Sequence, residues 1–494
     1  MPSAEDRPEQ PSGDILDSGE AGGLFVRGGA LRVGAYVGAI TTSIAVMPFV
    51  ARHLRSADFG RYVVVTSLVL IVTALTEGGL ANMGVREFAG APDRERRDFM
   101  RSLIGMRISL STAGGIGAIA FSLLVGYPRV VVEGTAIASL GLVLAGLQVT
   151  LSVPLTAALR LRWLAALDLI GPSVTAAGLI ALVVLNAPLL AFFGAAVVAY
   201  AVILALTVAL VRSQVTLRPA FSVARWRTLL RDSVVFAAAT ALGAVYFQVV
   251  VVAMSVISTP HQTGVFSLAF RILSVVNGIP LLLVGSAFPI LLRAAARDDR
   301  ARLHHAVQRL LEGNLLLGGW LSLLVVAGAP FAIHVIGGPG YAGAATVLRI
   351  LGAGVIATFL SAVLVFTLLT LHEYRLLIAI SAGMVVLAVV LCATVIPAHG
   401  ARGAAIVTLS LEVALAFAYG SALRSTHPEL RPELAIVGRI ALALALAFAA
   451  AVAVPVSSVP AAAIGTAVLA VALLSLRAIP SELVGALRPQ RGER

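Results

Sequence analysis

The sequence is poor in charge, in sulfur and in aromatic rings. Charged residues make up 12% of it and aromatic residues 6%, and lysine is missing, so all 36 basic residues are Arg. A soluble enzyme of this length needs a charged surface, and this chain has too little charge to make one. The single cysteine, Cys392, lies in an apolar run, which excludes an intramolecular disulfide and a cysteine-rich metal site. No HExxH, Cys/His ligand cluster or GxxxxGK[ST] phosphate loop occurs, so zinc-protease and ATPase chemistry is excluded and neither a cofactor nor a metal is expected. Acids are scarcer still than bases, leaving a net charge of +12. The Arg residues nevertheless stand singly or in short clusters between apolar runs, without interleaved aromatics, so no nucleic-acid partner is expected.

What the chain has in excess is hydrophobicity, at 59% of residues with a mean hydropathy of +0.99. Crossing ~30 Å of hydrocarbon at ~1.5 Å per residue takes about 20 apolar residues. Such runs recur from Leu31 to Leu476. They predict an all-α integral membrane protein of about 14 transmembrane helices, over residues 31–51, 62–84, 102–125, 131–153, 164–185, 188–211, 233–256, 263–290, 310–334, 342–370, 376–396, 403–423, 437–454 and 460–477. Tyr127-Pro128, Asn186-Ala187-Pro188, Gly337-Gly338-Pro339-Gly340 and Pro397-Ala398-His399-Gly400 are breakers at which the chain should reverse.

Arg placement predicts the orientation. With the N-terminus cytoplasmic, the inner connections collect clusters such as Arg94, Arg96, Arg97 and Arg101, whereas the outer loops hold only Arg52, Arg55, Arg61, Arg129 and Arg402. That bias places both termini in the cytoplasm. The acidic, Pro- and Ser-bearing segment 1–24 reads as a disordered cytoplasmic tail. It carries no cleavable signal, so the first apolar run is an uncleaved span.

Sliding the chain along itself by 204 positions puts Gly60 on Gly264 and Tyr62 on Phe266, and Arg clusters starting at Arg86 and Arg293 follow the second span of each half. The expected organisation is therefore two pseudo-symmetric six-helix lobes, 25–211 and 233–423, joined by a basic cytoplasmic linker, 212–232. A cytoplasmic loop, 424–436, two further helices within 437–477 and a cytoplasmic tail, 478–494, complete the chain. An even number of spans per half makes the repeat parallel, about an axis along the membrane normal, a transporter architecture.

The segment Leu54-Arg55-Ser56-Ala57-Asp58-Phe59-Gly60-Arg61-Tyr62, followed by Glu77-Gly78-Gly79-Leu80 and Arg86, resembles the N-terminal signature of Wzx-type polysaccharide-export flippases. These belong to the superfamily that includes multidrug and toxin extrusion transporters and lipid II flippases. Here the acid is Glu77, where Asp is commoner in that family. The resemblance covers about residues 30–480. It implies a non-enzymatic transporter of the bacterial cytoplasmic membrane that carries a polyprenyl-diphosphate-linked glycan from the cytoplasmic to the outer leaflet by alternating access, with other glycan-assembly proteins as potential partners.

A diphosphate crossing hydrocarbon needs fixed cations, and Arg supplies a planar, permanently charged fork for two oxygens. Four in-span Arg residues are candidates or border on it: Arg271, on a stripe with Gly264, Ser267, Ser274 and Gly278; Arg107, on a stripe with Ser111, Gly114 and Ala118; Arg349, with Thr346 and Ala353; and Arg32 at the edge of the first span. Arg86 joins the substrate-binding candidates through the motif. Helix packing and snorkelling are the competing readings of these stripes and of Arg near helix ends. Glu412, near the middle of a span, and Glu77, near the end of one, are candidates for ion coupling or gating. Glu133 with Arg129, Glu312 with Arg309, and Asp168 with Arg160 or Arg162 read as structural pairs. Two rival functions stay open: a drug or cation exporter of the same fold, and a membrane glycosyltransferase or polymerase, for which the outer loops look too short.

Overall fold

In the computed structural model, residues 19–476 are described except 78, 214, 223–225, 228–241, 244, 298, 431–433 and 454–457. Most of the expected N-terminal tail, much of the linker, the start of the seventh span and the C-terminal tail lie outside them, as does the Arg32 side chain. Among the described residues the chain is helical, without a β-strand. In order, the helices are α1 Gly19–Glu77, α2 Leu80–Gly90, α3 Asp93–Leu124, α4 Arg129–Leu151, α5 Val153–Ala157, α6 Leu161–Val184, α7 Leu189–Val211 and α8 Val245–Ile257. They continue with α9 Pro260–Ala296, α10 Arg300–Ile336, α11 Ala344–Ala353, α12 Val355–Thr370, α13 Tyr374–Thr426, α14 Leu434–Ala453 and α15 Ser458–Ser475.

Ten stretches among the described residues are long and apolar enough to cross a membrane, so this is a multi-pass membrane protein. Two of them are not single rods. Arg55 (φ 56°) interrupts α1 and Gly400 (φ 53°) interrupts α13, dividing each into two helical segments. The shorter apolar helices, α8 and Ile436–Ala451 within α14, fall on the expected seventh and thirteenth spans.

The breakers act as expected at Pro128 and Pro188, each the residue just before a helix, where a missing N–H costs nothing. Pro339 opens a 3-10 turn over Pro339–Tyr341. At the fourth breaker the break lies at Gly400 and Pro397 stays inside the helix. The expected outer loop from Arg52 to Arg61 shrinks to one residue, because Arg55 alone takes the left-handed conformation that reverses the helix. Gly79 of the motif does similar work at the other end of this segment: its φ of 77° ends α1 and starts α2, a conformation that a side chain disfavours.

Packing divides the helices into two groups. α1, α3, α4, α6 and α7 pack on one another, and α9 to α13 do likewise; the main bridge between the groups is α1 against α9. α14 and α15 pair with each other and lie on α10. Ser and Thr hydroxyls inside the helices donate back to carbonyls one turn earlier, as Thr135 does to Val131, Thr207 to Ile203 and Thr367 to Val363, which satisfies them away from water. Glu312 is fully buried and answered by Arg309 (2.9 Å) and Gln308 (2.7 Å), while Glu133 lies 3.8 Å from Arg129 on an exposed face.

Candidate functional site

The bridge between the two groups is tightest where the second segment of α1 and the start of α9 cross. A Cβ on Gly60 would lie 2.7 Å from the Pro260 carbonyl oxygen, and one on Gly264 would collide with the Ser56 carbonyl. Ser56 Oγ lies 2.6 Å from His261 Nδ1 at the same crossing. Around it, the Tyr341 hydroxyl donates to the Ala51 carbonyl (3.0 Å), Arg52 donates to the carbonyls of His334 and Val335, and the Ala401 amide donates to Gln262 Oε1 (3.1 Å). Phe59, Phe266 and Tyr341 fill the space between with buried rings. This end of the bundle is closed by groups drawn from both halves.

Beneath the crossing lies a cavity of about 450 Å³. α1 contributes Ser43, Tyr62 and Thr66, α4 Gln148, α6 Asp168 and Thr175, α7 Tyr200, and α9 Arg271. Arg271 is the charged group that the second half adds to a wall otherwise made by the first. It is exposed, and it also lines a cleft of about 260 Å³ between α1 and α9 with Ser43, Met47, Ser274 and Gly278. The stripe on which Arg271 was read therefore runs along α1: Gly264 at the crossing, Ser267 buried, and Arg271, Ser274 and Gly278 in the cleft.

Arg107 has different surroundings. It is buried, its Nη1 donates to the Thr76 carbonyl (3.0 Å) and its Nη2 stands 4.0 Å from Glu77 Oε2. A cation at the carbonyl end of α1 satisfies an acceptor the helix leaves open and complements its dipole. The stripe of Arg107 is packed: Ser111 is fully buried, a Cβ on Gly114 would meet Val72 at 2.5 Å, and a Cβ on Gly146 would meet Arg107 Nε at 2.5 Å. Two of the predicted site residues, Arg107 and Glu77, are thus brought together, away from the cavity that holds Arg271. Arg349 is exposed on α11, and Arg86 is exposed on α2 at 3.4 Å from Glu87; neither lines the Arg271 cavity.

Glu412 sits in the second half at the wall of a separate cavity of about 270 Å³. Thr358 Oγ1 lies 2.9 Å from one carboxylate oxygen, and the Tyr246 hydroxyl lies 3.4 Å from the other. Asn277 and Ser361 also line this cavity, and the Asn277 Oδ1 and Ser361 Oγ atoms are buried without a hydrogen-bond partner. Sequence reasoning did not find the two partners, Thr358 and Tyr246, or the two other lining residues, Asn277 and Ser361. Asn277 is the one with a legible signal, a lone amide in an apolar span. Asp168, read as an ion-pair partner of neighbouring Arg, faces the Arg271 cavity. Tyr62, Gln148 and Tyr200 were also missed there, although Tyr62 belongs to the motif. Among the described residues no group of three or more His, Cys, Asp or Glu could hold a metal.

Two packed helical halves that meet at one closed end over an inter-half cavity define a transporter-type membrane fold. A solved structure of the lipid II flippase MurJ in an inward closed conformation superposes with a TM-score of 0.77 at 10% identity, covering 93% of this chain and all of that one. A multidrug resistance MATE family transporter in an inward-facing conformation gives 0.65 at 12% identity over 81% and 99% of the two chains. A MATE in complex with MaL6 gives 0.56 at 13% identity over 82% and 96%. At these identities the likeness is one of fold. No curated protein matches the chain. The profile of the polysaccharide biosynthesis protein family matches residues 26–295, and the chain belongs to that family.

Proposed function

We propose that this protein flips a polyprenyl-diphosphate-linked oligosaccharide from the cytoplasmic to the outer leaflet of the bacterial cytoplasmic membrane, for the synthesis of a cell-surface polysaccharide. The observation that carries the reading is the position of Arg271. It stands at the junction of the inter-half cavity with the α1–α9 cleft, so a diphosphate held by its guanidinium could keep the sugar in the cavity and the lipid tail in the cleft. Membership of the polysaccharide biosynthesis family and the flippase-like fold support it. Tyr62, Tyr200, Gln148 and Thr175 are amphipathic or hydrogen-bonding groups of the sort a sugar needs.

In this reading the 25–211 and 233–423 lobes rock about each other, both termini are cytoplasmic, and the closed crossing at Ser56 and His261 faces outside. The state described is then the one that loads substrate from the cytoplasmic leaflet. Arg107 and Glu77 act as a pair at the inner end of α1 that helps set the gate, Arg86 and Arg349 meet the diphosphate in other states of the cycle, and Glu412 binds a proton or small cation that couples the second lobe to a gradient. The partly unsatisfied oxygens of Asn277 and Ser361 around Glu412 support that last role.

Asp168 favours a second reading, export of an organic cation, since it puts a carboxylate in the same cavity as Arg271. The test is reconstitution in proteoliposomes with a fluorescent polyprenyl-diphosphate glycan and, separately, a fluorescent organic cation. Glycan flipping that falls at least tenfold in R271Q while R271K retains part of it supports the proposal. Cation transport abolished by D168N, with no glycan flipping, supports the second reading and rejects the first.

A further inference from the structure

α7 opens beside the closed crossing, where His53 Nε2 stands 3.1 Å from the Ala187 carbonyl oxygen, and it ends at Val211. The chain that leaves it therefore lies at the opposite end of the first half. This chain is the start of the expected linker to α8, and the first half holds it. Val215 is buried in the apolar cluster that contains Met100, Leu103 and Met106 of α3 and Val211 of α7, and the Trp226 ring packs on the same cluster.

Between those two anchors the backbone crosses α3. The Ala220 amide donates to the Arg101 carbonyl (2.8 Å), Arg101 Nε donates to the Arg218 carbonyl (3.4 Å), and Trp226 Nε1 donates to the Ser102 carbonyl (3.2 Å). The two accepting carbonyls of α3 lie inside the helix, and the lone pair that the helix ladder leaves them takes the crossing chain. Gly105 permits the approach, because a Cβ there would collide with the Ala220 carbonyl oxygen. Glycine weakens a helix interior, and here its bare face seats another stretch of backbone.

This seat decides where the connection between the halves becomes slack. The first half keeps hold as far as Trp226, whereas the seventh span is expected from residue 233, which lies outside the described residues. The expected stretch between them, 228–232, reaches at most about 18 Å when fully extended, and releasing the chain back to Val211 would add roughly 50 Å. We propose that residues 215–222 and Trp226 form a strap whose docking on α3 limits how far the two halves part at the end away from the crossing, with Gly105 as its positioning residue. This rests on the rocking of the halves in the reading above and not on what is carried. With the strap seated, the crossing at one end and the short connection at the other bound the swing.

Spin labels on Glu95→Cys of α3 and Arg297→Cys at the end of α9, both exposed, read the separation of the halves in a full-length Cys392→Ala chain in lipid nanodiscs. Gly105→Leu unseats the strap, and a flexible insertion of about six Gly and Ser residues after Arg227 lengthens the connection with the strap still seated. Both changes are expected to move the distance distribution to longer values. Hydrogen exchange at the Ala220 amide is expected to rise at least tenfold in Gly105→Leu alone, and to rise less in Trp226→Phe, which loses one donor. A native distance distribution in the insertion variant would overturn the limit on opening, whatever Gly105→Leu does to folding. Unchanged exchange at Ala220 in a folded Gly105→Leu protein would overturn the seat. Neither readout uses substrate, so failure here is separable from failure of the glycan reading.

Discussion

Gly60 and Gly264, which fall on each other when the two halves are aligned, also touch in space: a Cβ on Gly60 would lie 2.8 Å from the Gly264 amide nitrogen. The contact is reciprocal. Gly60 faces the Pro260 carbonyl, and Gly264 faces the carbonyl of Ser56, which aligns with Pro260 at the same shift. Equivalent residues of a parallel repeat meet at its pseudo-symmetry axis, so the two-lobe organisation proposed above would put that axis at the crossing.

Because backbone approaches backbone there, an added methyl has no flexible neighbour to displace. Gly264→Ala is predicted to cost the closed arrangement about 1–3 kcal/mol, the usual penalty for overpacking, without weakening the other contacts within each half. In a Cys392→Ala background, maleimide labelling of Ser267→Cys, buried one turn below Gly264, should rise several-fold when Gly264→Ala is added. Unchanged labelling would mean that the crossing is slack.

The Ser56–His261 contact makes the same end open to chemical locking. With 2.6 Å between Oγ and Nδ1, Ser56→Cys with His261→Cys should cross-link under mild oxidation. If opening at this end is part of the cycle, the cross-linked protein loses at least tenfold in flipping rate and recovers on reduction. Full activity of the cross-linked protein would place the moving parts elsewhere.

Much of this architecture was legible from apolar run length and Pro placement, because a bilayer imposes span length and backbone satisfaction on any sequence. Aligning the chain on itself pairs Gly60 with Gly264 but does not tell that the two glycines touch, since alignment gives equivalence and not proximity. The stripes were the ambiguous signal. Arg271 and Arg107 both lie on small-residue faces, yet one stripe runs along a cleft and the other packs against α1, because small residues serve close packing and cavity lining equally well. The partners of Glu412 come from α8 and α12, and no local spacing in one helix could have revealed them.

That contrast gives opposite expectations for the two arginines. Arg107→Gln removes a charged donor from a buried carbonyl and is predicted to lower stability by about 1.5–3 kcal/mol, seen as a lower apparent melting temperature. Arg271→Gln removes an exposed group from a cavity wall and should leave the melting temperature within error while flipping falls at least tenfold. A stable Arg107→Gln protein with lost flipping would instead give Arg107 a direct part in transport.

Glu412 offers the most direct test of energy coupling. Its carboxylate meets Thr358 and Tyr246 and shares a cavity with two buried polar atoms, Asn277 Oδ1 and Ser361 Oγ, that have no hydrogen-bond partner. Unmade hydrogen bonds in the cavity of a buried carboxylate leave a place for a proton or small cation, and an amide at position 412 supplies donors of its own. Glu412→Gln is therefore predicted to keep the fold, to keep flipping in vesicles without a gradient, and to lose the stimulation that an imposed proton or sodium gradient gives the native protein. Glu412→Leu, which offers neither charge nor hydrogen bonds to the groups around it, should destabilise the second half by about 1–3 kcal/mol. Stimulation that persists in Glu412→Gln would separate this buried acid from coupling and leave it as a hydrogen-bonded strut between α13, α12 and α8.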